Sequence, residues 1–461
     1  MSNSPKESSI DSKLKPTGKT TIGGRITESS TKSRTAKGDS GRQATSRWKP
    51  SLVLRALRHR SYMLFFGGQL ISLIGTWMQS VAQAWLVYKL TGSAVMLGFV
   101  GFSGQIPVFL FASIGGAIAD RHNRHRIIII TQTVAMLLAF ALAALTLTNR
   151  VQVWHVFALA SLLGVTNALD IPTRQAFVVD MVSRDDVMNA IALNSFMVNG
   201  ARIIGPAIAG VLITTIGEGW CFLANAVSYI AVIVGLLLMK IKVQRHVTLP
   251  GSTLASIIEG FRYVRHTRPV RALLLLLGVV SLIGMPYVVL MPIFADRILR
   301  RGASGLGLLM GASGVGALVG ALSLAARQGI RGLGRWVAFS AAGFGTGLIL
   351  FSLSRWFGLS IVLLLPVGFS MMIQMASSNT LIQAMVPDNL RGRVMAVYSM
   401  MFMGMAPFGA LLAGALAHSL GAPATVAICG TVCIMAAVVF WLRSPAFRYE
   451  ARQVIVPPST V

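Results

Sequence analysis

Long apolar segments dominate this chain from about residue 62 onward. Twelve can be separated, and each is close to the roughly 20 residues that a helix needs to cross the hydrocarbon core of a bilayer. They are continuous rather than alternating, so they predict helices and not the strands of a membrane barrel. They cover residues 62–88, 94–119, 127–148, 151–173, 189–216, 220–240, 270–295, 304–327, 335–354, 356–382, 393–419 and 422–442.

The overall composition supports the same interpretation. The chain is 54% hydrophobic and 12% charged, with a mean hydropathy of +0.70. A soluble domain carries roughly twice that charged fraction. The sequence therefore predicts an all-α membrane protein with twelve transmembrane helices, although 461 residues would otherwise suggest two or three soluble domains.

The net charge of +27 would suit a nucleic-acid-binding protein, but its distribution argues against nucleic acid as a partner. Fourteen of the 41 lysines and arginines precede the first apolar segment. Connections after even-numbered segments hold about 17 basic residues, whereas those after odd-numbered segments hold six. The positive-inside rule then predicts a plasma (inner) membrane protein with both termini in the cytoplasm. The connection after the seventh segment, with Arg297, Arg300 and Arg301, fits this rule badly.

Both ends of the chain are expected to be cytoplasmic tails. Residues 1–55 are basic and poor in aromatic residues, so they predict a disordered tail, and contact with anionic lipid headgroups is an alternative role. They contain no apolar core of the kind that a signal peptide has. Residues 444–461 are predicted to form the second tail.

An internal repeat divides the apolar region into two similar parts. With a shift of 204 residues, Gly200, Gly205 and Gly210 fall on Gly404, Gly409 and Gly414. With a shift of 209, the SLIG at 72–75 falls on that at 281–284, and the Leu-Gly at 97–98 on that at 306–307. The repeat predicts two pseudo-symmetric halves of six helices, residues 56–240 and 270–443, joined by a cytoplasmic linker at 241–269. Parallel repeats of this kind occur in secondary transporters.

Two motifs carry a resemblance to a known family. The segment GGAIADRHNRHR at 115–126 resembles the signature between the second and third helices of major facilitator superfamily transporters. The segments beginning LISLIGTWMQ and DIPTRQAFVV resemble the branch that contains the enterobactin exporter and related secretion-type exporters. The similarity runs over about residues 55–445 and implies the major facilitator fold and transport by alternating access.

The resemblance also implies a role for the charged segment. In that family it latches the two halves at the cytoplasmic surface through charge-assisted hydrogen bonds. A plain solvated turn is the alternative interpretation. The expected latch residues are Gly116, Asp120, Arg121, Arg124 and Arg126.

Polar residues inside the apolar segments indicate a substrate pathway, because polar groups facing lipid are costly. Gln69, Ser72, Thr76, Gln79 and Gln83 recur at intervals of three and four and share one helical face. They predict either a cavity wall or hydrogen bonds between helices. Methionines surround the polar residues of the second half and suit a bulky, largely apolar substrate. The predicted cavity residues are Gln69, Thr76, Gln79, Gln83, Asn199, Gln374, Gln383 and Tyr398.

Three charged residues within the segments are candidates for ion coupling. Asp170 and Arg174 are four residues apart, so they predict an ion pair on one helix, or a carboxylate whose protonation changes during transport. Arg202 requires a partner, and Asp170 and Asp120 are candidates by residue type. Gly205, Pro206 and Gly210 resemble part of the glycine–proline motif of proton-coupled antiporters and favour export.

Enzymatic functions find little support. There is no P-loop motif, and His122 and His125 lack acidic or thiol neighbours at metal-ligand spacing, so neither a cofactor nor a metal is expected. The sequence predicts a monomeric secondary transporter in the lipid bilayer that exports a hydrophobic or amphipathic small molecule, such as a siderophore or drug, in exchange for H+. A metabolite importer of the same fold, or a membrane receptor or scaffold that does not transport, is the alternative.

Overall fold

The computed structural model describes residues 55–239, 253–327, 329 and 332–455. Nearly all of the predicted N-terminal tail, part of the predicted linker and residues 456–461 lie outside them. Twelve helices of the described chain are long and apolar enough to cross a membrane, which confirms the predicted fold class. Spans 1–12 are Arg60–Thr91, Ala94–Arg121, Arg124–Leu147, Val153–Asp180, Val187–Thr215, Glu218–Leu237, Arg268–Ile298, Gly302–Ala325, Leu333–Leu353, Phe357–Met385, Asp388–Leu420 and Ala422–Arg443.

Several helices extend further than the apolar segments predicted. Span 4 continues to Asp180, and span 11 begins at Asp388. The helix of span 12 runs to Ile455, into the predicted C-terminal tail. A further helix, Thr253–His266, lies inside the predicted linker and is named the linker helix here. These extensions contain charged residues. Water and lipid headgroups solvate charged side chains outside the hydrocarbon region, so a helix can continue there.

Spans 7 and 11 each depart from regular α-helix near the middle of the span, and the two irregular segments are in contact. Span 7 passes from α-helix into a π-turn at Val280–Gly284 and a 3-10 turn at Met285–Leu290. Pro286 lies in this region, where it supplies no backbone N–H and so interrupts the helical hydrogen bonds. Span 11 is divided between Asp388–Met403 and Ala406–Leu420. A side chain at Gly409 would overlap Pro286 and the Leu282 carbonyl oxygen, so the two irregular segments pack tightly together.

Successive spans run in alternate directions, which gives the bundle two faces. The terminal face is the one at which span 1 begins and span 12 ends. The opposite face carries the turns at residues 92–93, 148–152, 216–217, 299–301, 354–356 and 421.

Two pairs of glycines join the halves. A Cβ on Gly414 of span 11 would lie 3.2 Å from the Cα of Gly98 in span 2. A Cβ on Gly210 of span 5 would lie 3.2 Å from the Cα of Gly307 in span 8. The internal repeat relates Gly98 to Gly307 and Gly210 to Gly414, so the two contacts, named the glycine seams here, are equivalent. Small residues let helix backbones approach closely in a membrane.

The glycine seams lie toward the opposite face, and the halves separate toward the terminal face. On span 5, Pro206 and Gly210 are buried against span 8. The same helix face continues to Phe196 and Met188, whose side chains are 59% and 77% exposed. The bundle is therefore closed at the opposite face, and a cleft between the halves opens toward the terminal face.

Replacing Gly368 by alanine is expected to destabilise the second half. A Cβ there would overlap the Ser313 carbonyl oxygen, where spans 8 and 10 touch. Such overpacking costs about 1–3 kcal/mol, which thermal unfolding of the purified protein in detergent measures. The matched control is Gly358→Ala on the same span, where a Cβ meets nothing within 4 Å. Equal unfolding temperatures for the two variants would contradict this packing.

Candidate functional site

Arg202 lies where the contact between the halves ends and the cleft begins. Its carbonyl oxygen would be 3.2 Å from a Cβ on Gly314 of span 8. Its guanidinium lies over the ring of Trp77 in span 1, 5.4 Å from the centroid. The residue lies deep in the bundle, yet part of its surface remains accessible. It therefore occupies the inner end of the cleft.

The predicted carboxylate partners of Arg202 are engaged elsewhere. Asp170 pairs with Arg174, and Asp120 pairs with Arg124. Among the described residues, no carboxylate lies within ion-pair distance of Arg202. The expectation that it pairs with Asp170 or Asp120 is thus corrected, and an aromatic face takes their place.

Tyr287 of span 7 is a further neighbour of Arg202 that sequence reasoning missed. Its ring is buried, and its hydroxyl lies 2.8 Å from the Ser313 hydroxyl of span 8. Ser313 directly precedes Gly314, the residue of span 8 that the Arg202 carbonyl oxygen approaches. A tyrosine in the apolar run MPYVVL gives no sign in the sequence that it bonds to span 8 at this level of the bundle.

The segment Gly205–Pro206 holds span 5 against two neighbours. A Cβ on Gly205 would lie 2.6 Å from the Trp77 Cβ and 2.8 Å from the Ile74 carbonyl oxygen of span 1. On the other side, the Pro206 carbonyl contacts Gly307 of span 8. With Gly210, this segment therefore packs span 5 between the first half and the second.

Asp170 lies at the centre of a polar cluster inside the first half. Its Oδ1 accepts hydrogen bonds from Thr131 at 2.8 Å and Gln132 at 2.9 Å, both on span 3. Its Oδ2 lies 3.5 Å from Nε of Arg174. The ion pair along one helix is therefore present. In the second repeat, Gln374 and Ser378 stand 204 residues after this pair, and their buried Nε2 and Oγ atoms have no hydrogen-bond partner.

The polar stripe of span 1 turns inward rather than toward lipid. Gln69, Ser72 and Gln79 are buried, and Thr76 and Gln83 are half-buried. The amide oxygen of Gln79 accepts a 2.7 Å hydrogen bond from Asn225 of span 6. The alternative of hydrogen bonds between helices thus describes Gln79, whereas the buried Oε1 of Gln69 has no hydrogen-bond partner. A cavity role for the stripe stays a prediction.

The other predicted cavity residues form hydrogen bonds to their own helix or to a neighbouring helix. Asn199 donates to the Ser195 carbonyl at 2.8 Å on its own helix. Gln383 is exposed and donates to Asn379. Tyr398 of span 11 is buried and donates to the Met375 carbonyl of span 10 at 3.1 Å. Of these, Asn199 lies on the terminal-face part of span 5, close to Arg202 in sequence.

The predicted latch is an ion-pair network within the first half. Arg124 donates to Asp120 at 3.1 Å and to Asp180 at 3.1 and 3.3 Å, so it ties together the ends of spans 2, 3 and 4. Arg121 and Arg126 are exposed.

The latch segment differs from the prediction in three respects. Its ion pairs among the described residues stay within the first half instead of joining the two halves. The close helix contact falls at Gly115, where a Cβ would overlap the Ala168 carbonyl of span 4, whereas a Cβ on Gly116 would meet nothing within 4 Å. Asp180 lies 56 residues from Arg124, so no local spacing pattern links the two residues.

A second network at the terminal face joins the start of span 1 to the start of span 5. Asp186 pairs with Arg55 at 2.9 Å and His59 at 2.8 Å, and accepts from Ser183 at 3.0 Å. The hydrogen bond from His59 is the main reason that the pKa of the Asp186 carboxyl lies below its usual value, and desolvation opposes this in part. Like the Arg124 network, it lies within one half.

A polar contact between the halves closes the opposite face. Tyr88 of span 1 donates to Asp296 of span 7 at 2.7 Å, and Arg297 donates to the Tyr88 hydroxyl at 3.2 Å. Arg297 also donates to the Gly92 carbonyl at 3.1 Å. We name this contact the opposite-face gate. Arg297 is one of the three arginines that fit the positive-inside rule badly, and this contact gives it a structural role. A second, Arg301, stacks over the Phe357 ring at 5.5 Å.

Asp296→Asn is expected to weaken the opposite-face gate. Hydrogen bonds to charged groups contribute about 1.5–3 kcal/mol, so the population with this face open should rise by about tenfold or more. The measurement uses a cysteine in place of Ser304, beside the seam. A larger open population should raise the rate at which a membrane-impermeant maleimide labels this cysteine from the opposite face.

The control for the gate variant is Glu218→Gln, which breaks the 2.9 Å ion pair with Lys89 at the same face but within the first half. Its labelling rate should match that of the parent protein. If both variants label alike, the gate does not hold the halves together.

Comparison with known proteins identifies the family. The model of the transmembrane secretion effector family, a branch of the major facilitator superfamily, matches residues 51–457. The chain therefore belongs to this family, and it is a multi-pass membrane transporter rather than an enzyme.

Curated relatives include transporters with different names. The chain is 27% identical to the staphyloferrin A transporter of Staphylococcus aureus, over 84% of this chain and 97% of that protein. It is 27% identical to the multidrug efflux pump Tap of Mycolicibacterium fortuitum, over 76% and 88% of the two chains. It is 24% identical to the enterobactin exporter EntS of Shigella boydii, over 78% and 85%.

Solved structures show the same fold at low identity. A bacterial homologue of the lysosomal transporter Spinster matches with a TM-score of 0.66 and 13% identity, over 85% of this chain and 98% of that one. A POT family transporter matches with a TM-score of 0.69 and 13% identity, over 84% and 96%. These similarities establish the major facilitator fold.

Proposed function

We propose that the protein exports a hydrophobic or amphipathic small molecule, such as a siderophore or drug, from the cytoplasm in exchange for protons. The observation that carries this proposal is the one-sided closure of the bundle. Two equivalent glycine seams and the opposite-face gate join the halves near one face, while the cleft opens toward the other. A transporter that alternates between two openings requires such reversible contacts.

The direction and substrate class rest on three observations. Siderophore and drug transporters are among the relatives, and Gly205, Pro206 and Gly210 resemble the antiporter motif. The contacts between the halves are largely apolar beyond the gate, with Phe102 and Phe109 packed edge-on against Phe408. Such surroundings favour an amphipathic substrate over a sugar or an inorganic ion.

The terminal face is proposed to be cytoplasmic, in a plasma (inner) membrane. The Arg124 and Asp186 networks, the linker helix and most of the basic connections lie on this side. The positive-inside rule assigns such a face to the cytoplasm. Labelling of single cysteines at Arg121 and Arg150, which lie on the two faces, tests this: in whole cells an impermeant reagent should reach only the second.

Asp170 is the proposed proton site. Among the described residues, it is the carboxylate that lies more than two helical turns from either end of its span. Thr131, Gln132 and Arg174 surround it, so a change in their arrangement between the two openings would change its affinity for a proton. The Arg174 ion pair alone is the structural alternative.

Asp170→Asn should abolish uptake of substrate into inside-out vesicles driven by a pH gradient, while exchange of labelled for unlabelled substrate continues. The asparagine keeps the size of the side chain but cannot release a proton. Asp388→Asn, at an exposed site at the start of span 11, is the control. Equal gradient-driven uptake by both variants would assign Asp170 to structure alone.

The same vesicles separate the alternatives to export. An importer of the same fold would accumulate substrate in right-side-out vesicles under the physiological gradient, whereas the proposed exporter accumulates it only in inside-out vesicles. A receptor or scaffold would bind the compound without moving it in either orientation.

A further inference from the structure

We propose that Arg202 binds an anionic group of the substrate, so that the transported compound carries a carboxylate or similar anion beside an apolar part. This inference rests on the proposed transport function and narrows its substrate class. It also gives Arg202 a different role from ion coupling.

Within the described part of the chain, the surroundings of Arg202 provide no counter-ion for its charge. Ala201, Met197 and Leu73 form a buried apolar cluster against which Trp77 packs. No carboxylate among the described residues lies within ion-pair distance of the guanidinium. A charged side chain inside a membrane protein is costly unless it is paired, and a cation–π contact offsets only part of this cost.

The position of Arg202 places the residue at the inner end of the cleft. Arg202 as a residue keeps part of its surface accessible, although protein surrounds it at depth. On its opposite-face side lie the buried residues Pro206 and Gly210 of the seam. A molecule that enters from the terminal face therefore meets Arg202 at the inner end of its path, immediately before the closed seam.

The second repeat has no such cation. Ala406 stands 204 residues after Arg202, and the symmetric part of the contact consists of glycines. At the position that the repeat relates to Arg202, the second half therefore has an alanine in place of a cation. This asymmetry suits one anionic group on an otherwise apolar compound.

The chemistry of the two side chains fits such a ligand. A guanidinium binds a carboxylate through two parallel hydrogen bonds. The Trp77 ring beside it provides an apolar, aromatic surface, and the Tyr287 hydroxyl is already paired with Ser313 at 2.8 Å. A cationic compound of the same shape would be repelled by Arg202, so charge and not size alone should select the substrate.

The test uses three compounds that share a naphthyl ring and a two-carbon chain and carry a negative, a neutral or a positive polar group: naphthylacetate, naphthylacetamide and naphthylethylammonium. Each is added to the purified full-length protein in detergent, and unfolding is followed with a thiol-reactive dye, because Cys221, Cys429 and Cys433 are buried. Ligands that bind the folded state raise the unfolding temperature. Naphthylacetate should raise it by several degrees, and the amide and the ammonium compound should not.

Variants of Arg202 test whether this residue causes the stabilisation by naphthylacetate. Arg202→Gln should lower the affinity for naphthylacetate at least about tenfold, and Arg202→Lys should retain part of it because the charge remains. Without ligand, Arg202→Met should be at least as stable as the parent protein, because an apolar side chain replaces an unpaired charge. If Arg202 merely fixes span 5 against Trp77, Arg202→Met unfolds at a lower temperature.

The proposal is overturned if naphthylacetate does not stabilise the parent protein, if the ammonium compound stabilises it equally, or if Arg202→Gln binds naphthylacetate as well as the parent does. Because binding in detergent needs no gradient, these results are independent of transport. Loss of gradient-driven flux with selective anion binding intact would reject proton-coupled export and leave the anion site standing.

Discussion

The close approach of backbones at the two glycine seams is the contact on which the rest of this structure depends. Gly98 with Gly414, and Gly210 with Gly307, bring helices from different halves together. In lipid, apolar side chains gain little by leaving one apolar environment for another, so close van der Waals contact drives helix association. The nearest atoms across both seams are backbone atoms, so long side chains do not interdigitate there.

The charged residues at the two faces complement these seams. Arg124 links Asp120 and Asp180, and Asp186 links Arg55 and His59, in both cases within the first half. Such networks make a half move as a unit. The gate formed by Tyr88, Asp296 and Arg297 instead crosses between halves, where a polar contact can be exchanged for water when the face opens. Alternating access by rocking requires two rigid halves whose mutual contacts can break and form again.

Much of the fold could be predicted from the sequence because local signals determine it. Apolar length gave the twelve spans, and the repeat placed Gly210 and Gly414 in register. Spacing alone gave the Asp170–Arg174 pair. The contacts that the sequence did not reveal join distant residues: Gln79 bonds to Asn225, 146 residues away, and Tyr88 to Asp296, 208 residues away. Nothing local distinguishes Gln79, which bonds between helices, from Gln69, which has a buried oxygen without a partner.

The candidate site illustrates the same limit. Arg202 was recognisable as a cation inside an apolar segment, but its neighbours come from spans 1, 7 and 8. Only the packing of those spans shows that, of the residues the structure describes, Trp77 and not a carboxylate lies beside it. The same packing shows that the seam closes directly behind it. The second half offers buried amide and hydroxyl groups in place of the Asp170–Arg174 pair, so the two halves share a shape but not a charge pattern.

Distances between spin labels on the two faces test the central claim most directly. One pair, at Arg121 and Gly392, reports on the terminal face, and the other, at Arg150 and Trp356, on the opposite face. In lipid nanodiscs, conditions that drive transport should shorten the first distance and lengthen the second in the same population. Two distances that both lengthen or both shorten would contradict alternating access across the glycine seams. An opposite-face distance that never lengthens would contradict it as well.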